Sequence, residues 1–385
     1  MRRRTLRPRR NLAERARELG FSYHADNGRT YWDESVCYEF TLRQIENDLE
    51  TPSSELAALC TELVDRIVGD EKILRRLHIP QFAWSLIFDS WKRRDLSLYG
   101  RFDLCYDGNS PAKLLEYNAD TPTSLYEAAV FQWFWLQDAK LQKIVASSAD
   151  QFNSIHERLI ERWRKFSPGF VHLACMSRDD EDRLTVSYLE ELARQAGKQT
   201  LRVDLADIGL RSDGRFVDRQ GRLIEALFKL YPWEWMFADE FGKSKAMRGV
   251  LFVEPPWKAL LSNKGILPLL WEMAPGHPNL LPTYFEDDPR KEELGAHFAR
   301  KPLYSREGAN VMLVDGSDVL ERQEGSYGAE GFIRQALAPL PNFSGNHPVI
   351  GSWIVANEAC GIGIREDTKL ITSNTSRFVP HMIGG

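Results

Sequence analysis

The chain has few of the features that mark secreted, membrane or zinc-dependent proteins. Its 385 residues include five cysteines, and because none of them forms a Cys-x-x-Cys pair we expect reduced thiols in a cytoplasmic protein. No apolar run approaches the ~18 residues of a membrane helix, and none follows the N-terminal arginines as in a signal peptide. The eight histidines show no metal-ligand spacing, and no nucleophile elbow occurs. The sequence therefore argues against a disulfide scaffold, a membrane span, and Ser-His or Cys-His hydrolysis.

An excess of positive charge is also missing from the chain as a whole. The formal net charge is −5 and the pI is about 6.0, so no global basic field favours nucleic acid as a partner. Six arginines within the first ten residues are the exception. We interpret residues 1–10 as a solvated basic tail, and the alternative is an RNA-binding tail whose retention on RNA is sensitive to salt. The remaining composition, 43% hydrophobic and 27% charged, is typical of a globular protein with two or three lobes.

What the sequence does contain is a candidate hairpin over residues 97–125, SLYGRFDLCYDGNSPAKLLEYNADTPTSL. Two alternating arms flank the turn DGNSP, and with the turn centred in NS, Arg101 falls opposite Asn118 and Asp103 opposite Glu116. Opposed residues of antiparallel strands project from the same face, so these four polar side chains form one patch. The other face, which we predict to join the core, carries Phe102, Leu104, Tyr106, Leu115 and Tyr117.

This polar patch has two interpretations. Two carboxylates and an amide oxygen are hard ligands suited to Mg²⁺, and the neighbouring Arg101 could neutralise charge on a transferring phosphoryl group or an acyl oxyanion. The alternative is the exposed polar face of a hairpin, with ordinary ion pairs. The pattern alone does not favour one over the other.

A βαβ unit follows the hairpin along the chain. Residues 169–176 and 198–204 are predicted strands, and residues 182–196 a predicted helix between them. The linking segment 177–182, SRDDED, lies at the carboxyl end of the first strand, where open α/β sheets bind ligands. It could hold a cationic amine, or it could be a solvated loop whose acids cap the helix.

A second candidate ligand segment covers residues 298–314, FARKPLYSREGANVMLV. We predict a strand carrying Lys301, a glycine-containing turn with Gly308, and a second strand. Backbone N–H groups of such a loop can fold over phosphates. Lys264, just before a predicted apolar helix, is a further cation for the same anion.

The combination of RFD with EYNADTP resembles the synthetase domain of glutathionylspermidine synthase, from about Phe21 to the C-terminus. The resemblance implies a stand-alone form without the amidase domain, in an α+β or α/β ATP-grasp fold that is glutathione-synthetase-like and contains the βαβ unit as a substrate subdomain. The candidate metal residues precede both lysines, which matches the permuted ATP-grasp order of that family.

The resemblance also implies roles for individual residues. Arg101 would stabilise the transition state, while Asp103, Glu116 and Asn118 would hold Mg²⁺. The implied ATP contacts are Arg101, Phe102, Asp103, Lys264, Lys301, Gly308, Gln335, Ala336, Leu337 and Arg365. The implied substrate contacts are Thr121, which stands where the family has serine, and the acid pair Glu181 and Asp182.

These observations lead to one expected organisation and activity. Beyond the tail at 1–10, we expect one synthetase domain at 11–385, with approximate lobes at 11–166, 167–223 and 224–385. The expected reaction is ATP- and Mg²⁺-dependent amide formation from a small carboxylate and a small amine through an acyl phosphate. The acid could be glutathione-like and the amine polyamine-like. The alternative is a nucleotide-binding regulatory or scaffold protein with the same fold.

Overall fold

A computed structural model describes residues 1–26, 28–176 and 179–384. Its strands are β1 Arg2–Thr5, β2 Ala25–Asp26, β3 Arg29–Thr30, β4 Val36–Phe40, β5 Tyr99–Cys105, β6 Lys113–Asn118, β7 Phe170–Cys175, β8 Gln199–Asp204, β9 Gly209–Leu210, β10 Phe216–Val217, β11 Ala226–Lys229, β12 Leu251–Val253, β13 Thr283–Phe285, β14 His297–Pro302, β15 Met312–Asp315, β16 Asp318–Arg322, β17 Phe332–Ala336, β18 His347–Val355, β19 Glu358–Asp367, β20 Arg377–Val379 and β21 His381–Ile383.

Helices connect these strands and cover the sheets. The α-helices are α1 Leu12–Glu18, α2 Thr51–Ile67, α3 Glu71–Arg76, α4 Trp84–Lys92, α5 Gln132–Leu141, α6 Ile155–Lys165, α7 Asp180–Gln195, α8 Trp233–Ala238, α9 Lys258–Leu261 and α10 Ile266–Met273. The π-helical segments are Gln44–Glu50 and Glu127–Phe131, and the short 3₁₀ turns are Ser22–His24, Gln81–Ala83, Leu205–Asp207, Glu240–Lys243, Lys245–Gly249 and Pro289–Leu294. None of the described helices has the length and apolar character to cross a membrane.

Two five-stranded sheets supply the polar patch and several other residues of the predicted site. One has the order β20-β19-β18-β5-β6, and its long central strand β18 is buried over most of its length. The other has the order β13-β17-β14-β15-β16, and its pairings are antiparallel. The predicted strand, turn and strand around Gly308 is therefore confirmed as β14, a loop and β15.

The predicted hairpin and its register are confirmed in β5 and β6. Arg101 pairs with Asn118 and Asp103 with Glu116, but the register shifts between Asp103 and Leu104. This irregularity places Leu114, rather than Leu115, opposite Leu104. Leu114 is fully buried, whereas Leu115 is only partly buried, so the prediction that Leu115 joins the core is wrong.

The βαβ unit belongs to a separate parallel sheet with the order β12-β11-β7-β8. Strands β7 and β8 run parallel on either side of helix α7 in the sequence, as predicted. The Asp179 side chain caps α7 by accepting hydrogen bonds from the N–H groups of Glu181 and Asp182. Part of the predicted acidic loop is therefore a helix cap, while Ser177 and Arg178 lie outside the described residues.

The prediction of a solvated N-terminal tail is wrong. Strand β1 pairs with β4, and the Arg3 guanidinium donates two hydrogen bonds, at 2.9 and 2.8 Å, to the fully buried Glu366. Arg9 is 4% exposed and binds Glu34 at 2.9 Å and Asp138 at 3.0 Å. Arg3 and Arg9 are therefore structural. Composition does not reveal this role, because their carboxylate partners lie far away in the sequence.

The buried ion pairs of Arg9 and the exposed pair of Arg66 with Glu62 provide a matched comparison. We expect Arg9→Ala to lower the free energy of unfolding by about 3–5 kcal/mol, because it leaves two carboxylates without their buried cation. Arg66→Ala removes a solvent-screened pair and should cost less than about 1 kcal/mol. Urea denaturation of both variants measures the difference, and equal losses would contradict the structural role of Arg9.

Candidate functional site

A cleft of about 750 Å³ contains the four residues of the predicted polar patch. A more apolar slot of about 870 Å³ adjoins it. The residues that line both spaces are Asp103, Glu116, Gly308, Val349 and Thr372. The polar patch therefore lies at the junction of the two spaces.

Arg101 is held in a fixed position within this cleft. Its Nε and Nη2 donate to the Asp103 carboxylate at 2.6 and 2.9 Å, and its Nη1 donates to the Thr123 carbonyl oxygen at 2.7 Å. Gly351 on the neighbouring strand makes room for this side chain, since a Cβ there would lie 2.7 Å from Arg101 Cδ. These three hydrogen bonds hold the guanidinium in one orientation before any ligand binds.

The remaining patch residues form a connected network. Asn118 Nδ2 lies 3.1 Å from Asp103 Oδ2 and 3.2 Å from Glu116 Oε1, and Lys264 Nζ lies 2.9 Å from Glu116 Oε2. Burial raises the pKa of Glu116, but the Lys264 and Lys301 ammonium groups outweigh it and bring that pKa to about 2. Glu116 is therefore ionised and available as a ligand at neutral pH.

The donor set of this network fits a hard divalent cation. Two carboxylates and one amide oxygen on adjacent strands are the ligands that Mg²⁺ takes, with water or phosphate oxygens in the remaining positions. Among the described residues no cluster of three His, Cys, Asp or Glu side chains could hold a metal, so this amide-containing set is the candidate. In the structure, Arg101 and Lys264 balance the charge of the two carboxylates.

Two predicted nucleotide residues, Lys301 and Gln335, lie in the apolar slot. Lys301 Nζ donates to the Leu115 carbonyl oxygen at 2.8 Å and to Gln335 Oε1 at 2.6 Å. Burial lowers the pKa of Lys301 to about 8, although Glu116 opposes this shift. The apolar lining includes Leu115, Ala299, Val311, Leu313, Leu320, Leu337, Leu340, Val349, Leu370 and Ile371. A slot with apolar walls and a buried lysine can hold a flat aromatic ring whose charged substituent extends toward the polar patch.

Three predicted nucleotide contacts need correction or refinement. The Phe102 side chain is fully buried against Tyr117 on the core face of the hairpin, so the structure does not bring it to the cleft. The N–H groups of Ala336 and Leu337 already donate to the carbonyl oxygens of Pro282 and His297. A ligand in the slot would therefore meet these two residues through groups other than their N–H.

The loop after β14 crosses the cleft toward the segment that follows β6. Arg306 Nη1 donates to Thr121 Oγ1 at 2.7 Å, and Arg306 lines the cleft with Glu307 and Gly308. The other side of this contact is anchored by Asp120, which binds the fully buried Lys229 at 2.7 Å. The sequence predicted Thr121 as a site residue but not Arg306, although Arg306 precedes Gly308 by two positions in the predicted glycine-containing turn.

Arg365 lines the cleft, and acidic groups lie near it. Arg365 Nη2 donates to the Ser373 carbonyl oxygen at 2.7 Å, and Glu181 Oε1 accepts the N–H of Ser124 at 3.2 Å. Ser124 and Arg365 line the cleft, which places Glu181 beside it. Asp182 is partly buried, and burial, followed by Asp179 and Glu181, raises the pKa of Asp182 to about 7.

Gly308 and Gly316 allow a test of how tightly the loop is seated. Both adopt a positive φ, of 73° and 64°, but a Cβ on Gly308 would collide with Ile371 and lie 2.9 Å from the Thr372 carbonyl oxygen, whereas Gly316 has open space. We expect Gly308→Ala to lower the free energy of unfolding by about 1–3 kcal/mol more than Gly316→Ala, because only the first adds overpacking to backbone strain. Chemical denaturation measures both, and equal losses would show that the loop is not seated against residues 371–372.

Comparisons with known proteins extend these observations. The sequence profile of the glutathionylspermidine synthase preATP-grasp family matches residues 3–384. A Haemophilus influenzae protein provisionally named acid–amine ligase is 41% identical, with 96% of both chains covered. Trypanothione synthetase of Crithidia fasciculata is 28% identical over 89% of this chain and 55% of its own length. The bifunctional glutathionylspermidine synthetase/amidase of Escherichia coli is 26% identical over 94% of this chain and 62% of its own length.

The chain thus spans less than two thirds of the two longer relatives. Among solved structures, a glutathione synthetase-like effector from Globodera pallida has a TM-score of 0.55 at 11% identity, with 98% of both chains covered. That likeness confirms the predicted fold class, and the family match confirms the resemblance and the ligase class inferred from RFD and EYNADTP. The chain belongs to the glutathionylspermidine synthase preATP-grasp family.

Proposed function

We propose that the protein is an ATP-dependent ligase that joins a carboxylate to an amine through an acyl phosphate. The observation that carries the proposal is the junction of two chambers at Asp103 and Glu116. One chamber is apolar and contains a buried lysine, and the other contains the fixed guanidinium of Arg101. Phosphoryl transfer depends on this combination of positioning and charge neutralisation.

The apolar slot would hold the base of ATP, with its phosphates directed toward the polar patch. Lys301 and Lys264 both lie within reach of Glu116, and each ammonium would contact phosphate oxygens. The Gly308 loop adjoins both chambers, so its backbone N–H groups would cover the phosphates between them. We also propose a cytoplasmic location, which would give the protein access to ATP and is the location expected for a protein whose cysteines are reduced.

Asp103, Glu116 and the Asn118 amide would hold Mg²⁺. Bound there, the ion would neutralise phosphate charge during transfer. The chain's own contribution is to hold the two carboxylates together across β5 and β6, each within hydrogen-bond distance of Asn118 Nδ2. Arg101, fixed by Asp103 and Thr123, would stabilise charge on the transferred phosphoryl group and on the acyl oxygen when the amine attacks.

The cleft and the names of the relatives support a proposal for the substrate classes. Arg306 and Arg365 are cleft cations suited to an acid, whereas Glu181 offers negative charge suited to an amine. The names of the relatives include glutathionylspermidine and trypanothione synthetase. We therefore propose a glutathione-like carboxylate and a polyamine-like amine. The scaffold alternative explains neither the buried lysines nor the converging ligands, so the ligase is favoured.

A phosphate-release screen would identify the substrates. The full chain is incubated with ATP, Mg²⁺ and a matrix of acids against amines that includes glutathione and spermidine. Each positive pair is then examined by mass spectrometry for an amide product. Hydroxylamine serves as a general acceptor that traps any acyl phosphate as a hydroxamate. A panel without hydroxamate or amide would contradict the proposed ligase function.

Substitutions at the ion pair test the proposed roles directly. We expect Arg101→Ala and Asp103→Ala each to lower acid-dependent ATP turnover by about 10²–10³-fold, because each removes preorganised charge or a metal ligand. Arg248→Ala is the matched control, since Arg248 forms an exposed pair with Asp89 away from the cleft. Phosphate release measures all three variants. If both site variants turn over ATP like Arg248→Ala, the proposed function fails.

A further inference from the structure

Glu127 is a buried carboxyl group that the proposed reaction does not yet use. It begins the π-helical segment before α5 and has no exposed surface. Its Oε1 accepts a hydrogen bond from the Tyr31 hydroxyl at 2.7 Å. Its Oε2 is buried and has no hydrogen-bond partner among the described residues. Because an unpaired buried carboxylate oxygen is costly, this position lacks a donor that a ligand can supply.

Glu181 is a second carboxyl group in the same cluster. It binds the N–H of Ser124 at 3.2 Å, and the Ser124 hydroxyl lies 3.3 Å from that of Tyr31, which binds Glu127. Burial, and then the charge of Glu181, raises the pKa of Glu127 to about 7. Burial likewise raises the pKa of Glu181. Two acids in this environment favour a shared positive charge.

The groups around the pair do not satisfy this demand. Tyr23, Tyr31 and Tyr126 face the pair, and burial raises the pKa of each above its ordinary value, so they are neutral. Arg365 is a cation near the pair; its Nη2 binds the carbonyl oxygens of residues 373 and 376, and its buried Nε has no hydrogen-bond partner among the described residues. Its single charge faces two carboxyl groups, so an ammonium ion that enters from the cleft would supply a second positive charge.

The pair lies beside the reacting centre. Ser124, which binds Glu181, follows Thr123, whose carbonyl oxygen binds Arg101 at 2.7 Å. Thr123 and Ser124 both line the cleft that contains Arg101 and Asp103. A small nitrogen nucleophile at Glu181 would therefore lie next to the segment 123–124 that holds the Arg101 guanidinium.

We propose that Glu127 is a positioning residue for the nucleophilic amine, which the proposed function places at Glu181 and which enters as a primary aliphatic ammonium ion. Glu181, which is partly exposed, contacts the nitrogen and accepts one of its protons. Glu127 is a positioning residue that lies behind Glu181 and adds the second negative charge. The inference rests on the proposed ligase function and assigns Glu127, rather than Asp182, as the partner of Glu181.

In the proposed step a C–N bond replaces the C–O bond of the acyl phosphate. The ammonium nitrogen loses one proton to the Glu181 carboxylate, and its lone pair then forms a C–N bond with the acyl carbon. The bond between that carbon and the phosphate oxygen breaks, and the phosphate leaves with the electron pair. The second proton lost from nitrogen ends on the departing phosphate. Solvent later takes the first proton from Glu181 and restores the carboxylate.

Glu127→Gln in the full chain tests the inference, because it keeps the shape of the side chain and removes its charge. With the acid found by the screen and spermidine as acceptor, we expect kcat/KM for the amine to fall about tenfold or more. The acid limb of its pH profile should move to lower pH, because loss of the neighbouring charge lowers the pKa of Glu181. Hydroxamate formation should persist, since hydroxylamine is mostly uncharged near neutral pH.

Several controls separate the possible outcomes. Glu191→Gln, on the exposed face of α7, should behave as wild type, and melting curves establish that each variant is folded. A folded Glu127→Gln protein with an unchanged amine kcat/KM and acid limb would overturn the inference. If that variant does not fold, Tyr31→Phe removes a donor that lowers the pKa of Glu127, so Glu127 carries less negative charge near neutral pH. The amine kcat/KM should then fall and the acid limb should again move to lower pH, and an unchanged kcat/KM and limb would overturn the inference. If the wild-type protein forms hydroxamate with none of the acids in the panel, the ligase function itself is contradicted.

Discussion

The bidentate ion pair between Arg101 and Asp103 is the interaction on which the site depends. Both residues lie on β5, two positions apart, so the strand period alone places them on one face. The pair fixes the guanidinium, and Asn118 and Glu116 on β6 complete the network from the opposite strand. A divalent cation and a nucleotide would meet groups that are already positioned, so little reorganisation is needed when they bind.

Much of this arrangement could be predicted from the sequence because it is local. The alternation of polar and apolar residues around DGNSP determines the pairing of Arg101 with Asn118 and of Asp103 with Glu116, and the structure has the same pairing. The strand that carries Lys301 and the glycine turn after it were likewise visible as short-range patterns. Such patterns depend on neighbours within a few positions, which is the range over which side-chain periodicity is informative.

What could not be predicted depends on partners that are distant in the chain. Arg3 and Arg9 look like a solvated tail until Glu366, Glu34 and Asp138 are known to surround them. The same reason explains why Glu127 was not singled out, since its significance comes from Glu181 on another element. Charge composition gives the number of charged side chains in a segment, but it does not indicate which of them become buried.

The register irregularity between Asp103 and Leu104 lies where the cleft and the slot meet. The additional residue in β6 turns Leu115 out of the core, so that its side chain walls the slot and its carbonyl oxygen receives Lys301. Beyond that point the strand returns to the alternation that buries Leu114. Deleting Leu115 would restore the regular alternation, with Glu116 still facing the cleft and Leu114 still in the core, but it would remove one wall of the slot and the carbonyl oxygen that Lys301 binds. The extra residue therefore shapes the slot without changing which side chains of β6 face the cleft.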